Sequence, residues 1–163
     1  MKATMGAPVL KCVKREEREK DGFSSFKEWV EAPNHIYIGH NIRKYLNDFI
    51  KKDSIWCNPF ITFDLGREEK IEYYEAFLRC NPHLLEQLNE LENKVLGCWC
   101  ENIELCHGQV LVNLYIEKFG EEKYVVKEMG DMEDSGEKER KRMKIDDLMK
   151  KDKKHYAWIN MKI

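Results

Sequence analysis

The segment KVLGCWCENIELCHGQVLVNLYIEKF, residues 94–119, carries the clearest fold signal in the chain. It opens with a short apolar run typical of a buried strand, and from His107 its apolar residues recur at helical spacing. Three cysteines and a histidine, namely Cys98, Cys100, Cys106 and His107, lie at the junction. The segment therefore predicts a strand that leads into a helix, with sulfur and imidazole donors between them.

The centre of the chain alternates in the same way between short apolar runs and amphipathic segments. Residues 35–39 predict a second strand, and VLKCV at 9–13 predicts a short edge strand. Apolar residues at helical spacing predict further helices within 24–33, 40–53, 66–82 and 82–94. We therefore predict an α/β fold: a single Rossmann-like domain with a small, partly parallel sheet flanked by helices, plus a C-terminal strand and helix extension.

The two ends of the chain differ from its centre in composition. Residues 1–22 are highly charged and predict a loosely docked arm, whereas residues 23–120 predict the α/β core. Residues 121–163 predict a charged extension that docks on the core, with strands near 123–129 and 155–163 and a solvated helix between them. These charged termini are where we expect a protein partner to bind.

Length and charge limit the classes of function. The chain has 163 residues, 42% of them hydrophobic, which is enough for one core. Its net charge of −2 does not indicate nucleic-acid binding. No apolar run approaches the roughly 18 to 20 residues that cross a bilayer, and no secretory signal is recognisable, so we predict a cytoplasmic protein that does not bind membranes.

The six cysteines are predicted to be reduced thiols or metal thiolates rather than disulfides, because a chain of this length and apolar content needs no disulfide framework. Within a strand, Cys98 and Cys100 project to one face and Trp99 to the other. If a helix begins at Cys106 and His107, all four donors can converge at one mouth of the sheet.

Three interpretations of this cluster remain open. Cys98, Cys100, Cys106 and His107 match the ligands of structural zinc, although the CxC spacing is unusual and Cys57 is an alternative ligand. A redox pair lacks the CxxC spacing, but a cysteine at a helix N-terminus has a lowered pKa. Finally, buried cysteines often only fill a core, or the helix start holds a phosphate or carboxylate.

Four blocks of sequence also resemble a known family in order and spacing: IYIGH at 36–40, WCNPF at 56–60, REEKIEYYEAFL at 67–78 and LENKVLGCWCENIELCHGQVL at 91–111. Together, residues 35–116 resemble the domain of unknown function 4326 family. The last block is distantly similar to the domain of unknown function 488 family, in which a strand leads into a CH-containing helix start. Both resemblances imply an α/β fold.

The family resemblance implies a small protein without an established reaction, and many members come from phages and large DNA viruses. A viral origin would place the protein in the host cytosol. Three positions depart from the family pattern: His40 replaces Arg, Cys57 replaces Gly and Gln109 replaces Asp. Enzymatic activity is therefore left open.

The matched motifs imply a site at the strand ends for a small anionic or nucleotide-like ligand. The predicted ligand-binding residues are Tyr37, Gly39, His40, Trp56, Asn58, Cys106, His107 and Gly108. One alternative is a non-enzymatic interaction protein whose cysteine cluster holds structural zinc. A further alternative is a thiol redox protein.

Overall fold

The computed structural model describes residues 6–40, 53–120 and 135–151. Within these ranges, the strands β1 (Val9–Cys12), β2 (His35–Tyr37) and β3 (Val95–Cys98) form one parallel sheet. The strand order is β1-β3-β2, so β3 lies in the centre. Because the strands are parallel, their carboxyl ends meet at a single edge of the sheet.

Six α-helices surround this sheet in the described part of the chain, and several begin with a recognisable cap. Ser25 caps one of them, because its side chain accepts a hydrogen bond from the backbone N–H of Glu28 at 3.1 Å. Pro82 begins another helix, where its missing N–H costs nothing. The helices are α1 (Arg15–Lys20), α2 (Phe26–Glu31), α3 (Arg67–Arg79), α4 (Pro82–Gln87), α5 (His107–Phe119) and α6 (Ser135–Lys151).

The sheet separates two apolar cores, and the alternation of side chains along β3 assigns its residues to them. Leu96 and Cys98 belong to the larger core, which is built mainly from α3, α4 and α5. Val95 packs against the smaller core around Trp29 of α2. Gly97 faces Trp29 so closely that an added Cβ would lie 2.1 Å from the indole ring. Glycine at this position therefore lets α2 cover the sheet.

The predicted mixture of helices and strands around a small parallel sheet is confirmed. The structure does not establish the finer prediction of a Rossmann-like domain. The predicted helix within 82–94 is shorter than expected, because α4 changes to a 3-10 turn over Leu88–Leu91. None of the described helices is both long and apolar enough to span a bilayer.

The predicted division into arm, core and extension stays a prediction. Strand β1 places part of the predicted arm on the edge of the sheet. In the charged extension, α6 packs against α3 and buries Ile145 in the larger core. The predicted strands near 123–129 and 155–163, and most of the predicted helix within 40–53, lie outside the described residues.

Candidate metal centre and strand-end cavity

The end of β3 brings two cysteine side chains to the same face. The sulfur atoms of Cys98 and Cys100 lie 3.3 Å apart. Trp99 points to the opposite face, where its ring lies 5.4 Å from the ring of Phe26. The alternation predicted from the CWC sequence is confirmed.

The start of α5 supplies the other two donors of the cluster. Cys106 is the N-cap residue, and its sulfur accepts a hydrogen bond from the backbone N–H of Gly108 at 3.4 Å. Nδ1 of His107 lies 4.0 Å from the sulfur of Cys98 and 4.0 Å from that of Cys106. The four donor atoms of Cys98, Cys100, Cys106 and His107 all lie within 4.8 Å of one another. The structure thus brings together the whole set of predicted metal ligands.

A backbone carbonyl fixes the orientation of the His107 ring. Nε2 of His107 lies 3.0 Å from the carbonyl oxygen of Ile38, which can only accept a hydrogen bond. Nε2 therefore carries a proton, and in the neutral ring Nδ1 presents its lone pair to the sulfurs. The ring of Tyr74 packs edge-on against the imidazole at 5.4 Å. Metal-binding histidines are commonly held in this way.

The thiols and the imidazole influence one another's protonation. Hydrogen bonds from Cys106 and Cys98 hold the pKa of Cys100 far below its usual range. Hydrogen bonding to Cys100 and Cys98, together with burial, raises the pKa of Cys106. Burial acts to lower the pKa of His107, but hydrogen bonds to Cys100 and Cys98 outweigh it and raise this pKa to about 9. A thiolate, the form that binds metal ions, is thus favoured at Cys100.

All six cysteines of the chain lie within the described residues, and none of them forms a disulfide. This agrees with the prediction of reduced thiols. The cysteines outside the cluster are Cys12 in β1, Cys57 in the turn before Pro59, and Cys80 at the end of α3.

A cavity of about 410 Å³ opens beside the cluster at the carboxyl edge of the sheet. Two basic side chains line it, Lys14 after β1 and Arg67 at the start of α3. The ammonium group of Lys14 forms an ion pair with Glu101, which also lines the cavity. The hydrogen bond from Lys14 lowers the pKa of Glu101, and the charge of Arg67 lowers it further. The cavity is therefore lined by more basic than acidic side chains.

Four of the predicted ligand-binding residues line this cavity: Tyr37, Gly39, His40 and His107. The Tyr37 hydroxyl donates a hydrogen bond to the carbonyl oxygen of His40 at 3.1 Å, and burial raises the pKa of Tyr37. A Cβ added to Gly39 would lie 2.4 Å from the Tyr37 hydroxyl. Glycine at position 39 thus allows the tyrosine to close one side of the cavity.

The other four predicted ligand-binding residues do not line the cavity. Asn58 is buried, and its side chain accepts a hydrogen bond from the N–H of Phe60 at 2.9 Å and donates one to the carbonyl of Lys70 at 3.2 Å. The carbonyl of buried Trp56 accepts a hydrogen bond from Tyr74 at 2.7 Å. Both residues brace the turn before α3. The role of Trp56, Asn58, Cys106 and Gly108 in ligand binding stays a prediction.

A second group of donors lies near the same edge. Nδ1 of His40 is 3.7 Å from a carboxylate oxygen of Asp53 and 3.9 Å from the sulfur of Cys57. The donor atoms of these three residues lie within 4.8 Å of one another. Cys57, which the sequence offered as an alternative ligand for the first cluster, thus lies with His40 and Asp53.

Sequence reasoning missed three side chains at this edge: Lys14, Asp53 and Arg67. The position of Lys14 at this edge could have been predicted, because Lys14 directly follows the predicted edge strand. Arg67 belongs to a block of the family resemblance, but nothing in the block shows that α3 begins beside the cavity. Asp53 lies in a charged stretch of the sequence, and nothing in that stretch indicates that its carboxylate lies near His40 and Cys57.

Comparison with known proteins identifies the family. The family described as Domain of unknown function (DUF4326) matches residues 23–117, more than half of the chain. The chain belongs to this family. The matched range contains both donor clusters, whereas Lys14 and β1 precede it.

A viral protein is similar to most of this chain. The protein named "Uncharacterized protein R718", from Acanthamoeba polyphaga mimivirus, is 30% identical over 125 residues, which cover 71% of this chain and 86% of the viral protein. No solved structure matches the chain. The family membership predicted from the four sequence blocks is confirmed, and the family description assigns no activity.

Proposed function

We propose that this protein binds one zinc ion through Cys98, Cys100, Cys106 and His107. The observation that carries the proposal is the convergence of four donor atoms within 4.8 Å, with the far nitrogen of His107 held by the Ile38 carbonyl. Three sulfurs and one imidazole nitrogen form a preferred ligand set of structural zinc.

The distances between the donors support this proposal. In a tetrahedral site with zinc–sulfur bonds of about 2.3 Å and zinc–nitrogen bonds of about 2.0 Å, neighbouring donors lie about 3.5 to 3.8 Å apart. The Cys98 and Cys100 sulfurs are 3.3 Å apart, and Nδ1 of His107 is 4.0 Å from two sulfurs. Shifts of about 0.5 Å would bring these three pairs to tetrahedral spacing, and the other donor pairs lie within 4.8 Å.

Four protein ligands close the coordination sphere, so this zinc would be structural rather than catalytic. It would join the end of β3 to the start of α5, which flank the loop 99–105. Cys98, Cys100 and His107 also line the cavity, so the same ion would hold one wall of the cavity in place.

Metal analysis of protein purified without chelator tests this proposal. We expect about one zinc per chain at this site, lost in Cys100→Ser and retained in Cys80→Ser, a control cysteine at the end of α3. After replacement of zinc by cobalt, the intensity of the thiolate-to-cobalt absorption should indicate three thiolates. Retention of the same metal and spectrum by Cys100→Ser would contradict the proposal. A disulfide between Cys98 and Cys100 in the metal-free native protein would instead support a thiol redox function.

A second candidate function is the binding of a small anionic, phosphate-bearing ligand in the strand-end cavity. The specific observation in its favour is that Lys14, Arg67 and His40 line a cavity in which Glu101 is the one acidic lining residue of the described chain. Ligands of open α/β sheets commonly bind beyond the carboxyl ends of the strands. Trp99, which is 39% exposed and lines the cavity, would suit a nucleotide base.

Thermal-shift measurements with inorganic phosphate, pyrophosphate and a panel of nucleotides test the anion proposal. A ligand that binds the folded state raises the melting temperature by mass action. The stabilisation should be lost in Arg67→Gln and retained in Lys27→Gln, which removes an exposed charge of α2. An unchanged melting temperature with every compound would contradict the proposal.

A further inference from the structure

The strand-end edge carries a second group of donors that is separate from the Cys3His set. We propose that His40, Asp53 and Cys57 form a second, exchangeable divalent-metal site, with zinc as the preferred ion and one coordination position open. An imidazole, a carboxylate and a thiolate are all established zinc ligands. This site needs none of the four residues of the first cluster, so it stands independently of the structural zinc.

The geometry places one imidazole nitrogen at the centre of the group. Nδ1 of His40 is the atom nearest both partners, at 3.7 Å from Asp53 and 3.9 Å from Cys57. A tetrahedral zinc would hold such donors about 3.3 to 3.5 Å apart. A contraction of about 0.4 Å would bring each of these two separations to zinc spacing, and the donor atoms of Asp53 and Cys57 lie within 4.8 Å of each other.

The local fold holds two of the three donors in place. The carbonyl of His40 accepts the hydrogen bond from Tyr37, which anchors the backbone beyond β2. Cys57 is buried in a tight turn, where its N–H donates to the carbonyl of Ser54 at 3.0 Å. Asn58 and Pro59 follow directly, and the Asn58 side chain braces this turn against Phe60 and α3.

The described residues supply three protein ligands, which would leave one position open, as in catalytic rather than structural zinc sites. The side chain of His40 is 34% exposed and that of Asp53 is 16% exposed, whereas Cys57 is buried. The accessible side of the group is thus that of His40, which also lines the strand-end cavity. The open position would take water or an oxygen atom of an anion in the cavity.

An ordinary ion pair between His40 and Asp53 explains one of these contacts without a metal. The Cys57 thiol also lies within hydrogen-bonding distance of that nitrogen and of the Asn58 carbonyl oxygen, each at 3.9 Å, so a thiolate at Cys57 is what would distinguish a metal site from these hydrogen bonds. Softer thiolate ligands favour zinc over magnesium or calcium, which prefer oxygen donors. The chemistry of this donor set therefore selects a borderline ion such as zinc.

Metal content at buffered free zinc tests the second site on the full-length chain. We expect wild type to bind two equivalents, one of which a competing chelator removes first, because the described residues give this site three protein ligands and the first cluster four. Asp53→Asn and Cys57→Ser should each bind one equivalent. Asp64→Asn, which changes an exposed aspartate in the same region, should still bind two. Circular dichroism of each variant confirms that the chain is folded.

Cobalt separates the two sites by the number of thiolates that each provides. The chelator-resistant cobalt should show absorption from three thiolates, and the labile cobalt absorption from one, which Cys57→Ser removes. If wild type binds one equivalent and Cys100→Ser abolishes it, the second site is refuted while the structural zinc stands. If wild type binds one equivalent, which Cys100→Ser retains and Asp53→Asn abolishes, the structural zinc is refuted and the second site stands. Two equivalents in both Asp53→Asn and Cys57→Ser would refute the second site.

Discussion

Replacement of Cys100 by serine is the sharpest test of the structural zinc, because this residue is the most accessible of the four ligands. Cys98, Cys106 and His107 are buried, with exposed fractions of 6%, 1% and 5%, whereas Cys100 is partly exposed. Serine has nearly the size of cysteine, so Cys100→Ser removes a thiolate while disturbing little packing. A loss of stability in this variant therefore reports mainly on the metal.

The expected magnitude follows from mass action. The larger core contains many buried residues that do not depend on the metal, so we expect the metal-free chain to stay folded, unlike a small zinc finger. Free zinc at about 1,000 times its dissociation constant then stabilises the folded state by about 4.1 kcal/mol. For a chain of this size, each kcal/mol shifts the melting temperature by about 2–4 °C. Zinc should therefore raise the melting temperature of wild type by about 8 to 16 °C.

The assay is a thermal melt followed by circular dichroism, in buffered zinc and after chelation. Chelation should lower the melting temperature of wild type and of the Cys12→Ser control, which alters a buried thiol of β1. In Cys100→Ser only the stabilisation that zinc at the second site provides should remain, so the difference between the two melts should be much smaller than in wild type. Equal zinc-dependent stabilisation of wild type and Cys100→Ser would refute the assignment of Cys100 as a ligand, and a wild type indifferent to chelation would refute the structural zinc.

Three further predictions concern the framework around the site. Gly97→Ala places a Cβ 2.1 Å from the ring of Trp29, which is 1% exposed, so we expect a loss of about 3 kcal/mol in urea unfolding; an unchanged midpoint would contradict this packing. Asn58→Ala leaves the N–H of Phe60 and the carbonyl of Lys70 without their side-chain partner, so stability should fall by about 1–3 kcal/mol without any ligand; a variant as stable as wild type would contradict the bracing role. The hydrogen bonds from Arg79 lower the pKa of Glu117 in the folded state. The pair therefore contributes its full stabilisation at pH values above the unfolded pKa of about 4.3. This contribution is lost as the pH falls through the folded pKa. Glu117→Gln should thus cost no more than about 0.5 kcal/mol at neutral pH, because the pair is largely exposed, and should match wild type in acid; a deficit that persists in acid would contradict this assignment.

The periodicity of the sequence was sufficient to predict the elements that position the candidate metal centre. The alternation in CWC placed Cys98 and Cys100 on one face, and helical spacing placed the start of α5 at Cys106 and His107. These predictions are confirmed because both patterns depend on local backbone geometry, which repeats every two residues in a strand and every 3.6 in a helix. The resemblance of residues 36–40 to the family pattern also predicted that the end of β2 lies at the same edge as these donors.

The partners of each donor across the fold could not be predicted in this way. The contact of His107 with the Ile38 carbonyl joins residues 69 positions apart. The group of His40, Asp53 and Cys57 depends on how residues 53–57 pack beside the end of β2. Asn58, predicted to contact a ligand, instead has both ends of its amide bound to the backbone around α3. Such contacts depend on how separate elements pack, and sequence periodicity carries no information about that packing.

Local spacing thus established the strand, the helix and the donors between them, since each depends on neighbouring residues of the chain. The approach of β1, β2 and α3 to that junction came from tertiary packing, which brought Lys14 and Arg67 to the cavity and His40 to Cys57. The physical reason is that parallel strands distant in sequence share one carboxyl edge only after the sheet has formed. The sequence alone identified the four donors of the Cys3His cluster, but only the tertiary structure brought their side chains together.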